Sequence, residues 1–382
     1  MNAPKLRFKE FSDEWKKAKL SSFVNINPKN NSLPDKFIYI DLESVNNGLL
    51  TSRKIVNKSE APSRAQRTII KNDILYQTVR PYQMNNLFIN SLDSDYPYIA
   101  STGYALLRTK ENPYFVYSIL YQKSFVNKVL DMCTGTSYPA ISANDLGTIS
   151  ICLPSIKEQE KIGKTLSLLD KKIELQTKKI EDLKLFKKGL IEFEFSNLNY
   201  NEINLKEILK ERKTYSEKGL EFPHVTLSKD GIYDKTDRYN RDFLVKSDDK
   251  KYKITYLNDL CYNPANLKFG VICLNEYGSA IFSPIYVTFV IKNIANPKYI
   301  KYYVTRNNFI NAIRKYEQGT VYERMAVAPE DFLKFSIKLP NIEIQNKFVD
   351  KLSKLDQKID LENLKLSRYI KLKKGLMQNM FV

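Results

Sequence analysis

A chain of 382 residues is long enough for two or more domains with cores of their own. Its 43% hydrophobic content, with only 12 glycines and 15 prolines, excludes a mainly disordered protein. The net charge of +18, from 61 basic against 43 acidic residues, points to a polyanionic partner, either nucleic acid or an anionic membrane surface.

The opening stretch, Met1 to Phe11, is basic but has no apolar core, so no secretory signal is expected there. Short apolar or alternating runs follow at Phe37–Asp41, Asp73–Val79, Leu87–Ile89 and Tyr104–Arg108. Turn-forming clusters separate them, which predicts short strands. Tyr114–Met132 predicts one helix, with Phe115, Ile119, Phe125 and Val129 on its apolar side.

After Pro154 the pattern changes to heptads. Apolar residues fall at Ile162, Leu166, Leu169, Ile173, Ile180, Leu183 and Leu190, in steps of four and three, with Gln176 and Lys187 filling the gaps. That is the seam of a coiled coil. A helix of about 35 residues would be roughly 50 Å long. Further on, Ile254–Tyr262, Gly270–Leu274 and Tyr286–Ile291 predict strands, and Lys298–Tyr316 a second head helix. The uncharged run Ile281–Ile291 contains Pro284 and is too short for a bilayer, which favours nucleic acid over membrane and a cytoplasmic location. The last segment repeats the seam at Phe348, Leu352, Leu355, Ile359, Leu366, Tyr369 and Leu376, interrupted by Glu362 and Lys373.

The chain is internally duplicated. Ile141–Phe195 aligns without a gap on Val327–Phe381 at a constant offset of 186 residues, with about 21 of 55 positions identical. Upstream the likeness is fainter: Asn72–Tyr76 matches Asn258–Tyr262, and Asn112-Pro113 matches Asn296-Pro297 after a small indel. Each copy thus has a divergent front and a well-kept rear. Neither seam can be buried by one helix alone, and two seams in one chain most simply bury each other, antiparallel. The expected fold class is α+β: two mixed heads and a long antiparallel two-helix coiled coil, giving a dumbbell.

No catalytic constellation is visible. The one histidine, His224, has neither a triad nor a metal cluster around it. Gly163-Lys164-Thr165 has Glu158 where the first glycine of a phosphate-binding loop belongs. Asn263-Pro264-Ala265-Asn266 lacks the second proline and aromatic residue of an amino-methyltransferase motif. Cys133, Cys152, Cys261 and Cys273 have no metal or disulfide spacing and are expected as buried free thiols.

Nucleic-acid readers need cations for phosphates and planar hydrogen-bonding groups for base edges. The first head offers Arg64 and Arg67, then Gln77, Arg80, Tyr82, Gln83 and Asn85, and the loop residues Thr136 and Tyr138. The second offers Arg238, Arg241, Asn263, Asn266, Lys268, Thr320, Tyr322 and Arg324. Loops at equivalent positions with different content would read two different half-sites, about one helical turn apart. The competing reading is a coiled-coil scaffold whose two heads bind proteins.

These features resemble the specificity subunit of type I restriction-modification systems. The resemblance rests on the two-fold repeat and on Trp15–Phe23 opening the first unit. It rests also on Gly135-Thr136 ahead of the Leu-Pro pair, on Leu153-Pro154-Ser155-Ile156-Lys157-Glu158-Gln159, and on the endings Lys187–Leu190 and Lys373–Leu376. Ser155 and Asn341 stand where the family usually has a second proline, and Ile344 replaces the counterpart of Glu158. The resemblance implies target-recognition domains at 1–153 and 196–339, and conserved spacer helices at 154–195 and 340–382. It implies that the helices dock two methylation subunits, which use S-adenosylmethionine to methylate adenine. It further implies restriction subunits using ATP and magnesium. This chain would hold no cofactor and no catalytic centre.

Overall fold

The computed structural model of the protein describes residues 3–29, 32–135, 137–196, 200–216, 221–235, 251–317 and 326–382. Contacts divide it into two units, residues 1–178 with 363–382, and residues 179–362. In chain order the helices are α1 (Pro113–Ile119), α2 (Lys123–Asp131), α3 (Ala143–Thr148), α4 (Ile156–Ser196), α5 (Leu205–Ile208), α6 (Pro297–Val304), α7 (Asn307–Ile313), α8 (Pro329–Leu333) and α9 (Ile342–Asn379). Each long helix contributes its two halves to different units, so the units do not coincide with the sequence repeats.

In the first unit one sheet runs in the order Val24–Ile26, Tyr104–Thr109, Ile74–Gln77, Leu87–Phe88, all antiparallel. In the second unit the sheet Leu209–Glu211, Val287–Ile291, Leu260–Tyr262, Ile272–Leu274 has the same order and sense. This is the frame common to both heads. A strand pair closes each frame just before its long helix: Lys16–Lys19 with Ser150–Leu153, and Glu202–Asn204 with Ser336–Lys338. A tight turn recurs too, with Asn72 and Asn258 both left-handed, at φ 70° and 68°, a conformation that asparagine tolerates better than most residues.

The divergence lies in the second sheet of each head. The first unit has a mixed sheet, Lys54–Asn57, Lys36–Ile40, Tyr98–Ser101, Ala65–Thr68, whose central pair is parallel. The second unit has Tyr215–Ser216, Tyr252–Thr255, Ala280–Phe282 and a separate hairpin, Val225–Ser228 with Gly231–Asp234.

Within the first unit α4 and α9 run antiparallel, since Asp170 meets Lys373 at 2.6 Å and Lys172 lies over the Tyr369 ring at 5.3 Å. Within the second unit Lys179 meets Glu362 at 3.0 Å and Lys187 meets Asp356, again antiparallel. Of the seam residues, Ile162, Leu166, Leu169, Ile180, Phe348, Leu352 and Ile359 are buried, and Ile173, Leu183, Leu355, Leu366 and Tyr369 are half-buried. Three of the polar interruptions are explained as well, because Lys187, Glu362 and Lys373 each reach an opposite charge across the pair.

Each helix ends on the head of the other repeat. Phe381 packs edge-on against Trp15 in the first unit, and its repeat counterpart Phe195 packs edge-on against Tyr299 and Phe348 in the second. Both aromatic rings are part of the main apolar core of their unit. The Leu-Pro-Gln signature has a matching physical reason. The Gln159 amide donates to the Pro154 carbonyl and accepts from the Asn112 amide; Gln345 does the same with Pro340 and Asn296. One buried glutamine thereby ties the start of a long helix to the start of α1 or α6.

Four expectations need correction. Tyr114–Met132 is two helices, α1 and α2, because Gln122 turns extended at ψ 136°. Lys298–Tyr316 breaks likewise at Arg306, ψ 144°, into α6 and α7 followed by a 3-10 turn. Ile254–Tyr262 is two strands separated by the left-handed Asn258. Of the four free thiols only Cys261 and Cys273 are buried, while Cys133 and Cys152 are half-buried.

Candidate nucleic-acid interface

In the first head the frame strand Ile74–Gln77 runs into a loop that two left-handed residues shape, Arg80 at φ 53° and Met84 at φ 52°, around a 3-10 turn at Pro81–Gln83. Gln77 is only 1% exposed. Its amide donates to the Val79 carbonyl and the Gln83 side chain, both at 2.8 Å, and accepts from the Asn85 backbone at 3.0 Å. Gln77 is therefore a clamp inside the loop, with no donor left for a base. Asn86, buried beside it, accepts from the Gln77 backbone, and its carbonyl accepts from the Tyr121 hydroxyl.

Arg80, Tyr82 and Gln83 lie on the outer side of this loop, Tyr82 and Gln83 exposed and Arg80 half-buried. The loop near Tyr138 is brought against it. Arg80 donates its backbone N–H to the Pro139 carbonyl at 2.8 Å, and its guanidinium carbon lies over the Tyr138 ring, 4.7 Å from the centre. Tyr138 is 63% exposed. On the other side Thr78 donates to Gly103, and Thr102 donates to the Arg64 carbonyl. Three backbone hydrogen bonds, from Thr102 to Arg64, Thr78 to Gly103 and Arg80 to Pro139, thus hold exposed Arg64, Arg80 and the loop of Tyr138 on one frame. Arg67 lies in the strand Ala65–Thr68, and burial pushes its guanidinium below the ordinary arginine value. Its Nε is buried and has no protein partner.

A further contact escaped sequence reasoning. The hairpin Val45–Asn46 with Leu49–Leu50 turns at Asn47 and Gly48, both with positive φ, and the Asn47 backbone donates to the Asn85 side chain at 3.1 Å. Asn-Gly between apolar residues is a strong hairpin signal, so the sequence did carry it. Alanine at Gly48 would meet the Tyr117 hydroxyl at 2.8 Å, so glycine is required there both for φ and for space.

The second head repeats the plan with different chemistry. Asn263, the repeat counterpart of Gln77, is 8% exposed and caps the backbone N–H groups of Ala265 and Asn266. It too is a loop clamp. Ile141 donates to the Thr78 carbonyl, and its counterpart Val327 donates to the Pro264 carbonyl. Asn266 and Lys268 are half-buried, and Lys268 lies over exposed Phe269. Thr136, Arg238, Arg241, Thr320, Tyr322 and Arg324 lie outside the described residues. No group of three metal-ligating side chains occurs among the described residues, and none of their helices is long and apolar enough to cross a membrane.

Two heads on one repeated frame each present a clamped polar loop of its own composition. Residues 12–185 match the family described as the type I restriction modification DNA specificity domain. Over 169 residues the chain is 28% identical to the type I restriction enzyme HindI specificity subunit of Haemophilus influenzae; the match covers 41% of this chain and 36% of that protein. The matched stretch is thus about a third of that relative's length. A chain solved in a study of complex assembly and conformational transition of the type I R-M system aligns with TM-score 0.56 at 18% identity, covering 96% of this chain and 97% of the other. The type I restriction-modification S subunit of M. genitalium aligns with TM-score 0.56 at 16% identity, covering 100% and 99%. The resemblance read from the sequence is borne out to this extent: the chain shares its fold with these solved chains, and residues 12–185 match the family model of the DNA specificity domain.

Proposed function

We propose that this chain is the sequence-specific DNA-binding subunit of a type I restriction-modification complex. Its two heads, residues 1–153 and 196–339, each take one half of a bipartite, asymmetric site. Two methylation subunits dock on the helices at 154–195 and 340–382, and restriction subunits join them. The chain itself is non-catalytic. Methylation with S-adenosylmethionine, and cleavage with ATP and magnesium, belong to the partners, and the assembly works in the cytoplasm.

The observation that carries this reading is the contrast inside the duplication. The frame sheet, the Gln159 and Gln345 ties and the helix ends recur, while the loops starting at Gln77 and Asn263, equal in length, differ in their cations and aromatic residues. A repeated frame suits identical partners; unlike loops suit unlike half-sites. Arg64, Arg80, Tyr82, Gln83 and Tyr138 are the proposed contacts of the first head, and Asn266 and Lys268 those of the second. Asn85 ties the first loop to the Asn47 turn, Arg67 remains a proposed contact on sequence grounds, and Gln77 and Asn263 act from behind as clamps. Arg238, Arg241, Thr136, Thr320, Tyr322 and Arg324 remain proposed contacts on sequence grounds.

Genome-wide methylation mapping in cells with and without this chain tests the proposal. A two-part methylated motif that disappears with the chain is expected. Partner binding that ignores DNA and salt would replace this reading with the scaffold reading.

A further inference from the structure

We infer that Arg80 is the side chain with which the first head reads a guanine, held in reading position by Tyr138; this rests on the DNA-binding function proposed above. Arg80 sits at φ 53°, a left-handed conformation that side-chain-bearing residues seldom adopt. Such strain persists only where the surroundings impose it, and it concentrates at functional sites. Here Pro81 follows directly, the Arg80 N–H is bound to Pro139, and the Arg80 carbonyl accepts from Gln83.

The guanidinium carbon lies over the Tyr138 ring, 4.7 Å from its centre. A contact with the ring face consumes no conventional hydrogen-bond acceptor and leaves the guanidinium its five N–H donors. The other paired arginines of this unit are engaged otherwise. Arg7, Arg53 and Arg108 each meet a carboxylate, Glu158, Asp93 and Asp73 respectively. Among the described residues Arg80 has no carboxylate within ion-pair distance. A planar fork, held over a ring and left unpaired, matches the O6 and N7 acceptors that guanine presents in the major groove. A phosphate can take the same fork in a two-pronged contact, and the experiment separates the two.

The test uses the full chain assembled with its methylation subunits. Binding is measured against every single-base substitution of the cognate site, for the wild type, Arg80→Lys and Arg80→Ala. In the wild type, replacing one guanine of one half-site, or substituting 7-deazaguanine for it, weakens binding about ten- to hundred-fold. Both variants lose discrimination at that one base pair, and 7-deazaguanine weakens them no further. Discrimination across the other half-site, retained, reports that the variants are folded. A loss that is uniform across sequences, with a shallower salt dependence, would make Arg80 a phosphate contact and overturn the inference. Unchanged discrimination at every base pair would also overturn it, while the wild type's own specificity left the DNA-binding reading standing. A wild-type complex with no sequence preference would remove both.

Discussion

Gln77 and Asn263 occupy the same repeat position, and each holds its loop by accepting hydrogen bonds from backbone N–H groups further on. Gln77→Ala would leave the half-buried Asn85 N–H without its acceptor and release Gln83. We predict a loss of about 1–3 kcal/mol in unfolding free energy, visible as a lower denaturant midpoint, together with weaker binding at the first half-site alone. Asn263→Ala removes a helix-cap acceptor, for which about 1 kcal/mol is expected, with weaker binding at the other half-site. Equal effects of either variant on both half-sites would show that the loops are not independent readers. Both residues were chosen from the sequence as base readers. Polarity and position were legible, but burial was not, because whether an amide points outward or back into its loop is set by the turn geometry.

The cysteines give a second residue-scale prediction. Burial pushes the Cys261 thiol up to about 12, and Cys273 is raised by burial as well. The reactive species is the thiolate, so neither should alkylate at neutral pH in the folded chain. Half-buried Cys152 and Cys133 should label first, although burial raises Cys133 too. Mass spectrometry after brief alkylation checks the order; early labelling of Cys261 would contradict the described packing.

Among the elements, α4 and α9 are joined by the same device in each unit. Asp170 accepts from Tyr114 on α1 and pairs with Lys373; Asp356 accepts from Tyr302 on α6 at 3.0 Å and pairs with Lys187. The Asp and Lys members are repeat counterparts, at the 186-residue offset. The tyrosines are not: Tyr114 is the second residue of α1, and Tyr302 lies a turn further along α6. Burial and the adjacent carboxylate raise both hydroxyls, which keeps them as donors. A double-mutant cycle of Asp170→Ala with Lys373→Ala should give a coupling of about 0.5–3 kcal/mol, and the cycle of Asp356→Ala with Lys187→Ala a similar one. A coupling indistinguishable from zero in both would mean that the pairs are only surface contacts.

This level was the most legible in the sequence. The heptad steps located both seams, and the constant offset identified their polar interruptions as counterparts before any partner was known. The breaks at Gln122 and Arg306 were not legible, since neither carries the proline or glycine that marks a helix end. The chain turns there for tertiary reasons. Tyr121, just ahead of the first break, is directed at the Asn86 carbonyl, and Arg306, at the second, stacks between Phe195 and Tyr303.

For the whole molecule the duplication is imperfect at one buried charge. Arg7 makes a two-pronged pair with Glu158, which is 1% exposed, and Ile344 stands at the equivalent position of the second copy. The Leu6 backbone also binds the Asn379 carbonyl near the end of α9. Removing Arg7 would leave a buried carboxylate without its cation, a change that typically costs about 3–5 kcal/mol. Arg7→Ala should therefore destabilise the first unit far more than a surface lysine change would. A chemical-denaturation curve in which the Arg7→Ala midpoint matched that of Lys347→Ala would refute this.

The net charge of +18 leads to the broadest prediction. Phosphate contacts release counterions, so the logarithm of affinity falls linearly with the logarithm of salt, by about 0.9 per phosphate contacted. Two heads that together neutralise about six to ten phosphates would lose about 10³- to 10⁵-fold in affinity between roughly 50 and 200 mM salt. The measurement is a salt titration of the assembled complex on cognate and on unrelated DNA. A steep slope on both, with a cognate advantage that persists at high salt, is the expected outcome: charge supplies the common part of binding, and the unlike loops supply the difference. A flat slope would instead match heads that bind proteins, and the basic excess would then be only a solvated surface.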